Sequence, residues 1–366
     1  MKIVIGLLII LCFTNKQLIA QKDITDLDPK LWEQANDIAK RITIIDCHSH
    51  SLFSTTPATE ANPKQITYQM LVRSGVKGIV QSFPVHFDKT ITISDRILDG
   101  IKSVRNRIND ESLKVSIIKK SSDILKLQKK DSIGIMIAIE SFEGLCMGDI
   151  NLISKYYNEG VRVIGFYNRK LDSLYDYKNL TNLGNRYINE MNRLGIICDI
   201  THVPDVIRGK VIDESQSPVI LSHANAYSLV QVGNNVSDST LRKLIRKKGM
   251  ICVSFNSTQI SKEVANNIVK EHDRTKWPRA NIEELIDQID YLKNFDGIDY
   301  IGIGSDYGGS GRYAPKGLET VEGFPLIIYH MLKRGYSQEE IEKVMGLNFI
   351  RFFERVESKS FIYKSN

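Results

Sequence analysis

The sequence predicts a single α/β domain, an eight-stranded (β/α)8 barrel of the TIM type. Three observations predict it. Eight short apolar runs rich in Ile and Val recur along the 366 residues, as strands buried on both faces require. Amphipathic stretches with helical spacing lie between them. Polar residues with chemical potential follow the runs, and such barrels carry their active sites at the C-terminal ends of their strands.

Taken in order, the runs are 42–47, 76–80, 133–139, 161–166, 196–200, 219–221, 250–255 and 300–303. Helical spacing covers 150–157, 184–194, 239–247, 282–292 and 324–332. Ser239 after Asp238, and Asn281 ahead of Glu283 and Glu284, are expected N-caps. Ser337 with Glu340 forms a capping box that opens the last helix. A doubly wound open sheet is the rival arrangement of the same alternation.

Composition narrows the class. Hydrophobic content of 42% and charged content of 25% are those of a globular protein. The net charge of +6 is spread along the chain, and Lys129, Lys130 and Arg246 to Lys248 fall at helix ends as solvated faces, so nucleic-acid binding is not expected. Residues 1–20 read as a secretory signal: Lys2, an apolar run over 3–13, then Leu18-Ile19-Ala20 before a cut, with Leu18 bulkier than usual there. The run is too short to span a bilayer comfortably, no other segment reads as transmembrane, and Leu11 is too large for lipid attachment at Cys12. The expectation is a mature (β/α)8 barrel domain over 21–366, exported to the periplasm or beyond. Its four cysteines, Cys47, Cys146, Cys198 and Cys252, are expected as free buried hydrophobes.

The strand ends, read in order, are His48 and His50, Gln81, Glu140, Asn168, His202, His223, Asn256 and Asp306. Four of the seven histidines fall there, while His86, His272 and His330 lie in loops or helices. In His48-Ser49-His50 the period-2 alternation of a strand turns both imidazoles to one side, where they reach one metal. Imidazole is the commonest zinc ligand. Glu140 ends the third run, where a carboxylate is costly to bury unless paired or metal-bound. Glu143 is the competing candidate. One carboxylate can bridge two metals, which suits four histidines. His202 and His223 each follow a small hydroxyl residue able to supply a supporting hydrogen bond, and complete a set for two zinc ions. Asp306, after Gly302-Ile303-Gly304-Ser305, is assigned proton transfer from the attacking water to the leaving amine. A helix N-cap is its bland alternative.

From about residue 42 to 356 the chain resembles the membrane (renal-type) dipeptidases, zinc peptidases among the amidohydrolase-like barrels. The resemblance is carried by Asn192-Arg193-Leu194-Gly195-Ile196-Ile197-Cys198-Asp199-Ile200-Thr201-His202, by Pro218-Val219-Ile220-Leu221-Ser222-His223 and by Asn235-Val236-Ser237-Asp238. Gly302-Ile303-Gly304-Ser305-Asp306 and the stretch from Arg334 to Arg351, similar to the family's last helix, add to it. It implies two zinc ions bridged by a glutamate, a metal-bound hydroxide attacking the amide of a dipeptide, tolerance of D-residues or β-lactams, and a homodimer.

Three places depart from the family pattern. His50 stands where the family has Asp, which leaves the centre one unit more positive. Asn234 stands where the family's arginine grips the substrate carboxylate, and an amide makes no bidentate charged contact. Asn168 replaces a histidine in the fourth strand's loop, and Tyr307-Gly308-Gly309 replaces Phe-Asp-Gly. Asn168 and Asn234 are therefore the expected substrate-binding positions. The alternatives to dipeptide hydrolysis are a related metal amidohydrolase for a small amide lacking a free α-carboxylate, and a catalytically silent binding relative.

Overall fold

A computed structural model of the chain describes residues 27–50, 66–85, 91–108, 113–141, 145–146, 148–167, 173–176, 178–267, 277–309 and 314–360. The expected signal over 1–20, together with Asn168, Glu143, His86 and His272, lies outside them.

Nine strands form one sheet: β1 (Ile44–Ser49), β2 (Val76–Val85), β3 (Val115–Ile117), β4 (Ile133–Ser141), β5 (Val161–Gly165), β6 (Ile197–Asp199), β7 (Ile220–Leu221), β8 (Met250–Ser254) and β9 (Ile301–Gly304). Every pairing is parallel. β1 lies between β2 and β9, and β2 also pairs with β4 from Gly78↔Gly134 to Val85↔Ser141, which closes the ring. The eight expected runs are the eight strands of the closed barrel.

β3 is the strand that the runs did not announce. Three residues with one serine among them carry too little apolar periodicity to read as a strand. It pairs only with Ile133–Ile135 of β4 and stays half-buried, outside the closed ring.

Alternation along the strands divides the core in two. Ile133, Ile135 and Ile137 of β4, Ile251 and Val253 of β8 and Ile301 and Ile303 of β9 face the surrounding helices. Ile45, Val80, Met136, Ala138, Val163, Ile197, Ile220, Met250 and Cys252 fill the barrel's interior. Phe349, Phe352, Phe353 and Val356 of the last helix join that inner cluster, so the chain's final helix plugs the barrel from below. Each of these phenylalanines contributes about 1.5–3 kcal/mol by leaving water.

The tail departs from one continuous helix. It runs as Gln338–Glu342, a π-type turn at Lys343–Leu347, and Asn348–Lys359. A Cβ on Gly346 would lie 2.0 Å from the Thr43 carbonyl oxygen, so the turn meets the foot of β1 backbone to backbone. Asn348 then donates from Nδ2 to the carbonyls of Ile298 (2.7 Å) and Ile301 (2.9 Å), tying the plug to β9.

Asn281 caps its helix and Ser337 forms its box with Glu340 as expected, and Glu284 completes a second box at Asn281. The cap expected at Ser239 is instead Ser237, whose hydroxyl accepts from the Thr240 amide, because the helix begins at Asp238. Cys47, Cys146, Cys198 and Cys252 are buried and free. Among the described residues no helix is long and apolar enough to cross a membrane.

The interior narrows toward the strands' C-terminal ends at Gly304. A Cβ there would lie 1.8 Å from the Ser222 carbonyl oxygen, a fixed backbone atom. Gly304→Ala should therefore cost about 3 kcal/mol of stability, as overpacking against an atom that cannot yield. Urea unfolding measures this, and a cost below about 1 kcal/mol would show that β9 is free to shift.

Candidate metal centre

Five strand ends bring the charged residues together. β1 carries His48 near its end and leads to His50, β4 carries Glu140 near its end, β6 leads to His202, β7 to His223 and β9 to Asp306. All lie at one mouth of the barrel, and all except the half-buried His50 and His202 are buried. Five of the six sit where the sequence placed a metal ligand, and Asp306 is the sixth.

Two pairs of imidazoles face each other. His48 Nε2 and His50 Nε2 are 3.0 Å apart, and so are His202 Nε2 and His223 Nε2. Glu140 spans them with one oxygen for each pair: Oε2 is 2.9 Å from His50 Nε2 and 3.5 Å from His48 Nε2. Oε1 is 2.6 Å from His202 Nε2 and 3.9 Å from His223 Nε2. Two nitrogens bound to one tetrahedral zinc at about 2.0–2.1 Å stand roughly 3.3 Å apart. Converging nitrogen lone pairs at that spacing, with a carboxylate oxygen opposite each pair, fit two cations bridged by Glu140. The local groupings of His48, His50 and Glu140, and of Glu140, His202 and His223, are compact enough for one ion each.

Asp306 approaches from β9's end, with Oδ1 3.5 Å from His50 Nε2 and 3.9 Å from His48 Nε2. Its backbone occupies the left-handed region at φ 57°, unusual for a residue with a side chain, and its amide donates to the His48 carbonyl (2.9 Å). Gly309 makes the room, since a Cβ there would lie 2.1 Å from Asp306 Oδ1.

A repeated device holds these ends. Asp46 of β1 accepts the amide (2.9 Å) and hydroxyl (2.5 Å) of Ser305, the residue before Asp306. Asp199 of β6 accepts the amide (3.2 Å) and hydroxyl (2.5 Å) of Ser222, the residue before His223. In both cases a buried aspartate on one strand fixes the residue ahead of a site group on the neighbouring strand. The sequence reading missed both aspartates. Their signal was present, a carboxylate within an apolar run, but their serine partners depend on which strands are neighbours.

Burial governs the charges. It pushes the carboxyl of Asp46 up to about 6 despite the Ser305 hydrogen bonds, and raises Asp306 although His50 and His48 oppose it. Glu140 is also buried, but His48, His202 and His50 together hold it well below its ordinary value. Burial would lower His50 and His202, and the Glu140 carboxylate beside them more than reverses this. His223 is pushed well below its usual value by burial and then by His48 and His202.

The expected substrate position Asn234 is an exposed turn residue, and among the described residues its part in the hydrogen bonding is its carbonyl, which accepts from Arg208 Nη2 (3.0 Å). Arg208 is fully buried and gives its guanidinium to the carbonyls of Ile200, Thr201, Asn234 and Asn235. Its Nη1 also faces Asp205 Oδ1 at 3.6 Å, so the guanidinium props the loop with all five of its N–H groups directed at protein oxygens rather than at a substrate carboxylate. Gln81 points away into its own strand, donating to the Ser82 carbonyl (2.9 Å), and Asn256 caps the short helix after β8.

A family model described as membrane dipeptidase (peptidase family M19) matches residues 32–363. Dipeptidase tcpJ of Claviceps purpurea is 30% identical over 247 residues, 65% of this chain and 54% of that protein. Dipeptidase 3 of Mus musculus is 33% identical over 178 residues, 49% of this chain and 33% of that protein. The matches thus span about half of the first relative's length and a third of the second's. The crystal structure of the probable dipeptidase PvdM from Pseudomonas aeruginosa shares the fold, with TM-score 0.76, 20% identity, and coverage of 91% of this chain and 100% of that one.

The charges define a pH window for chelator-treated protein. Glu140 is lowered from 4.5, so its share of stability is present above that value and lost as pH falls through the depressed one. His50 and His202 are raised from 6.5, so their share is present below that value and lost as pH rises through the elevated ones. The melting temperature of chelated wild type should exceed that of chelated Glu140→Gln most between about pH 4.5 and 6.5, and a gap widening toward about pH 8 would contradict this.

Proposed function

This chain belongs to the membrane dipeptidase family, and on that footing we propose that it is an exported, homodimeric zinc dipeptidase holding two ions per chain. The observation that carries the reading is Glu140, whose two oxygens each face a separate pair of imidazole nitrogens. His48 and His50 would hold one ion, His202 and His223 the other, and Glu140 would give one oxygen to each. The residues suit zinc, which takes nitrogen and carboxylate ligands without a strong geometric demand. When bound, the pair of cations polarises the scissile carbonyl and makes water nucleophilic at neutral pH.

The chain's own residues perform the proton transfers. Asp306 takes a proton from the attacking water as its oxygen bonds to the amide carbon. It returns that proton to the nitrogen as the carbon–nitrogen bond breaks, so the leaving group departs as a neutral amine. Burial suits Asp306 to this exchange by bringing its acid strength nearer to neutrality. The Asp46–Ser305 clamp keeps its carboxylate at the mouth.

A second reading is favoured by one observation: Arg208 is spent on backbone carbonyls, and the exposed Asn234 carries no charge. A small amide without a free α-carboxylate then becomes the alternative substrate. Asn168 and Asn234 are the positions where the two substrate classes would be told apart.

Metal analysis of purified protein should return about two zinc equivalents, dropping to about one or none in His202→Ala. Asp306→Asn should keep the metal and lose at least about 100-fold in turnover, the scale of a general acid–base. Full activity in Asp306→Asn would remove it from the proton path. A substrate panel of L,L- and L,D-dipeptides, carboxyl-blocked dipeptides and N-acyl amino acids separates the readings. Preference for free dipeptides supports the first, and equal turnover of blocked ones the second.

A further inference from the structure

Ser222 lies at the junction of the two imidazole pairs. Its hydroxyl oxygen is 2.5 Å from Asp199 Oδ2, 2.8 Å from His223 Nδ1, 3.1 Å from His48 Nδ1 and 3.3 Å from Thr201 Oγ1, and the residue is buried. A hydroxyl has one proton to give and two lone pairs to receive with.

The donors around Asp199 decide where that proton goes. Asp199 Oδ1 accepts the amides of Thr201 (3.1 Å) and Ser222 (3.2 Å) and the Thr201 hydroxyl (2.6 Å). Among the described residues Oδ2 faces only the Ser222 hydroxyl at 2.5 Å, a distance at which one oxygen must donate to the other. A carboxylate accepts only, so Ser222 donates to it. The Thr201 hydroxyl has already given its proton to Oδ1, so it offers Ser222 none. The two remaining lone pairs of Ser222 then meet two ring nitrogens, and both must carry hydrogen.

We propose that Ser222 is a positioning residue that couples the two halves of the centre. Committed as donor to Asp199, its one hydroxyl holds both His48 and His223 as the Nδ1–H tautomer. The Nε2 lone pair of each is thereby freed toward a different ion. The inference rests on the two-ion reading above, and assigns to Ser222 and Asp199 the setting of ligand tautomers at both sites. The His48 and His223 rings, with centroids 3.8 Å apart and planes tilted by 36°, share this single anchor although each belongs to a different pair.

Asp199→Asn has a distinct expected effect. The two backbone amides keep the side-chain oxygen at the Oδ1 position, so the new NH2 turns to Ser222 and donates. The Ser222 proton must then go to one ring's Nδ1, which forces that ring to carry hydrogen on Nε2 and blocks one ion. Ser222→Ala removes the anchor from both rings together.

The test is calorimetric titration of chelator-stripped protein with zinc, read alongside long-range proton–nitrogen spectra of ¹⁵N-histidine-labelled, metal-free wild type at mildly alkaline pH. Expected are Nδ1–H tautomers for His48 and His223, affinity weakened about tenfold or more at both sites in Ser222→Ala, and loss of one site in Asp199→Asn. An Nε2–H tautomer on either ring overturns the proposal, and that spectrum needs no variant to fold. Unchanged zinc affinities in a folded Ser222→Ala, with only the metal-free melting temperature lowered, would make Ser222 a packing residue and also overturn it. Wild type that binds fewer than two zinc equivalents would instead sink the two-ion reading, while the spectra still report the tautomers.

Discussion

An ionised carboxylate cannot remain inside a parallel barrel without donors to replace the water it has lost. Asp46, Glu140 and Asp199 all face that requirement at the upper end of this interior. Asp46 and Asp199 meet it with serine hydroxyls and backbone amides from a neighbouring strand end. Glu140 meets it with imidazoles. The first two solutions position the third: Ser305 precedes Asp306, Ser222 precedes His223, and the His48 amide itself donates to Asp46 (3.3 Å). The ligands stay aligned because the acids beneath them must be satisfied.

The barrel separates stability from chemistry along its axis. Apolar side chains and the Phe349–Phe353 plug fill its lower and middle levels, and polarity rises only at the level of Asp199, Ser222 and Glu140. β9 contributes glycines rather than side chains here, so backbone passes close to backbone and the mouth stays narrow. Narrowness brings four imidazoles within reach of one carboxylate. It also leaves Glu140 low and His50 and His202 high in affinity for protons, so any cation held by these nitrogens would compete with protons for them.

Much of this was legible in the order of residues, for a physical reason. A strand buried on both faces must be apolar throughout, so the first polar residue after it marks the barrel's rim. Reading the polar residues just beyond each run brought out His48, His50, Glu140, His202, His223 and Asp306, along with Gln81 and Asn256, whose side chains serve the backbone instead. The supporting layer was less legible. Asp46 and Asp199 stood out only as acids in apolar company, and Ser305 and Ser222 acquire meaning once β1 is known to neighbour β9 and β6 to neighbour β7. β3 was too short to show a period, and the break at Gly346 answers a carbonyl some three hundred residues away in sequence, which no local pattern records. Substrate recognition was least legible: Asn234 is an exposed turn residue, and the nearby Arg208 is occupied beneath the loop.

The pairing of β1 with β9, sealed by the plug of the last helix, has a consequence for how the protein comes into being. His48 and Asp306 belong to opposite ends of the chain, and the clamp that aligns them joins residues 46 and 305. Such long-range closure is among the last events in folding. On the two-ion reading, a chain still missing its final strand has His48 and His50 without the β9 contacts that align them, while Glu140, His202 and His223 already lie on earlier strands. The aligned first site therefore waits for β9, and its geometry is a late mark of a barrel that has closed.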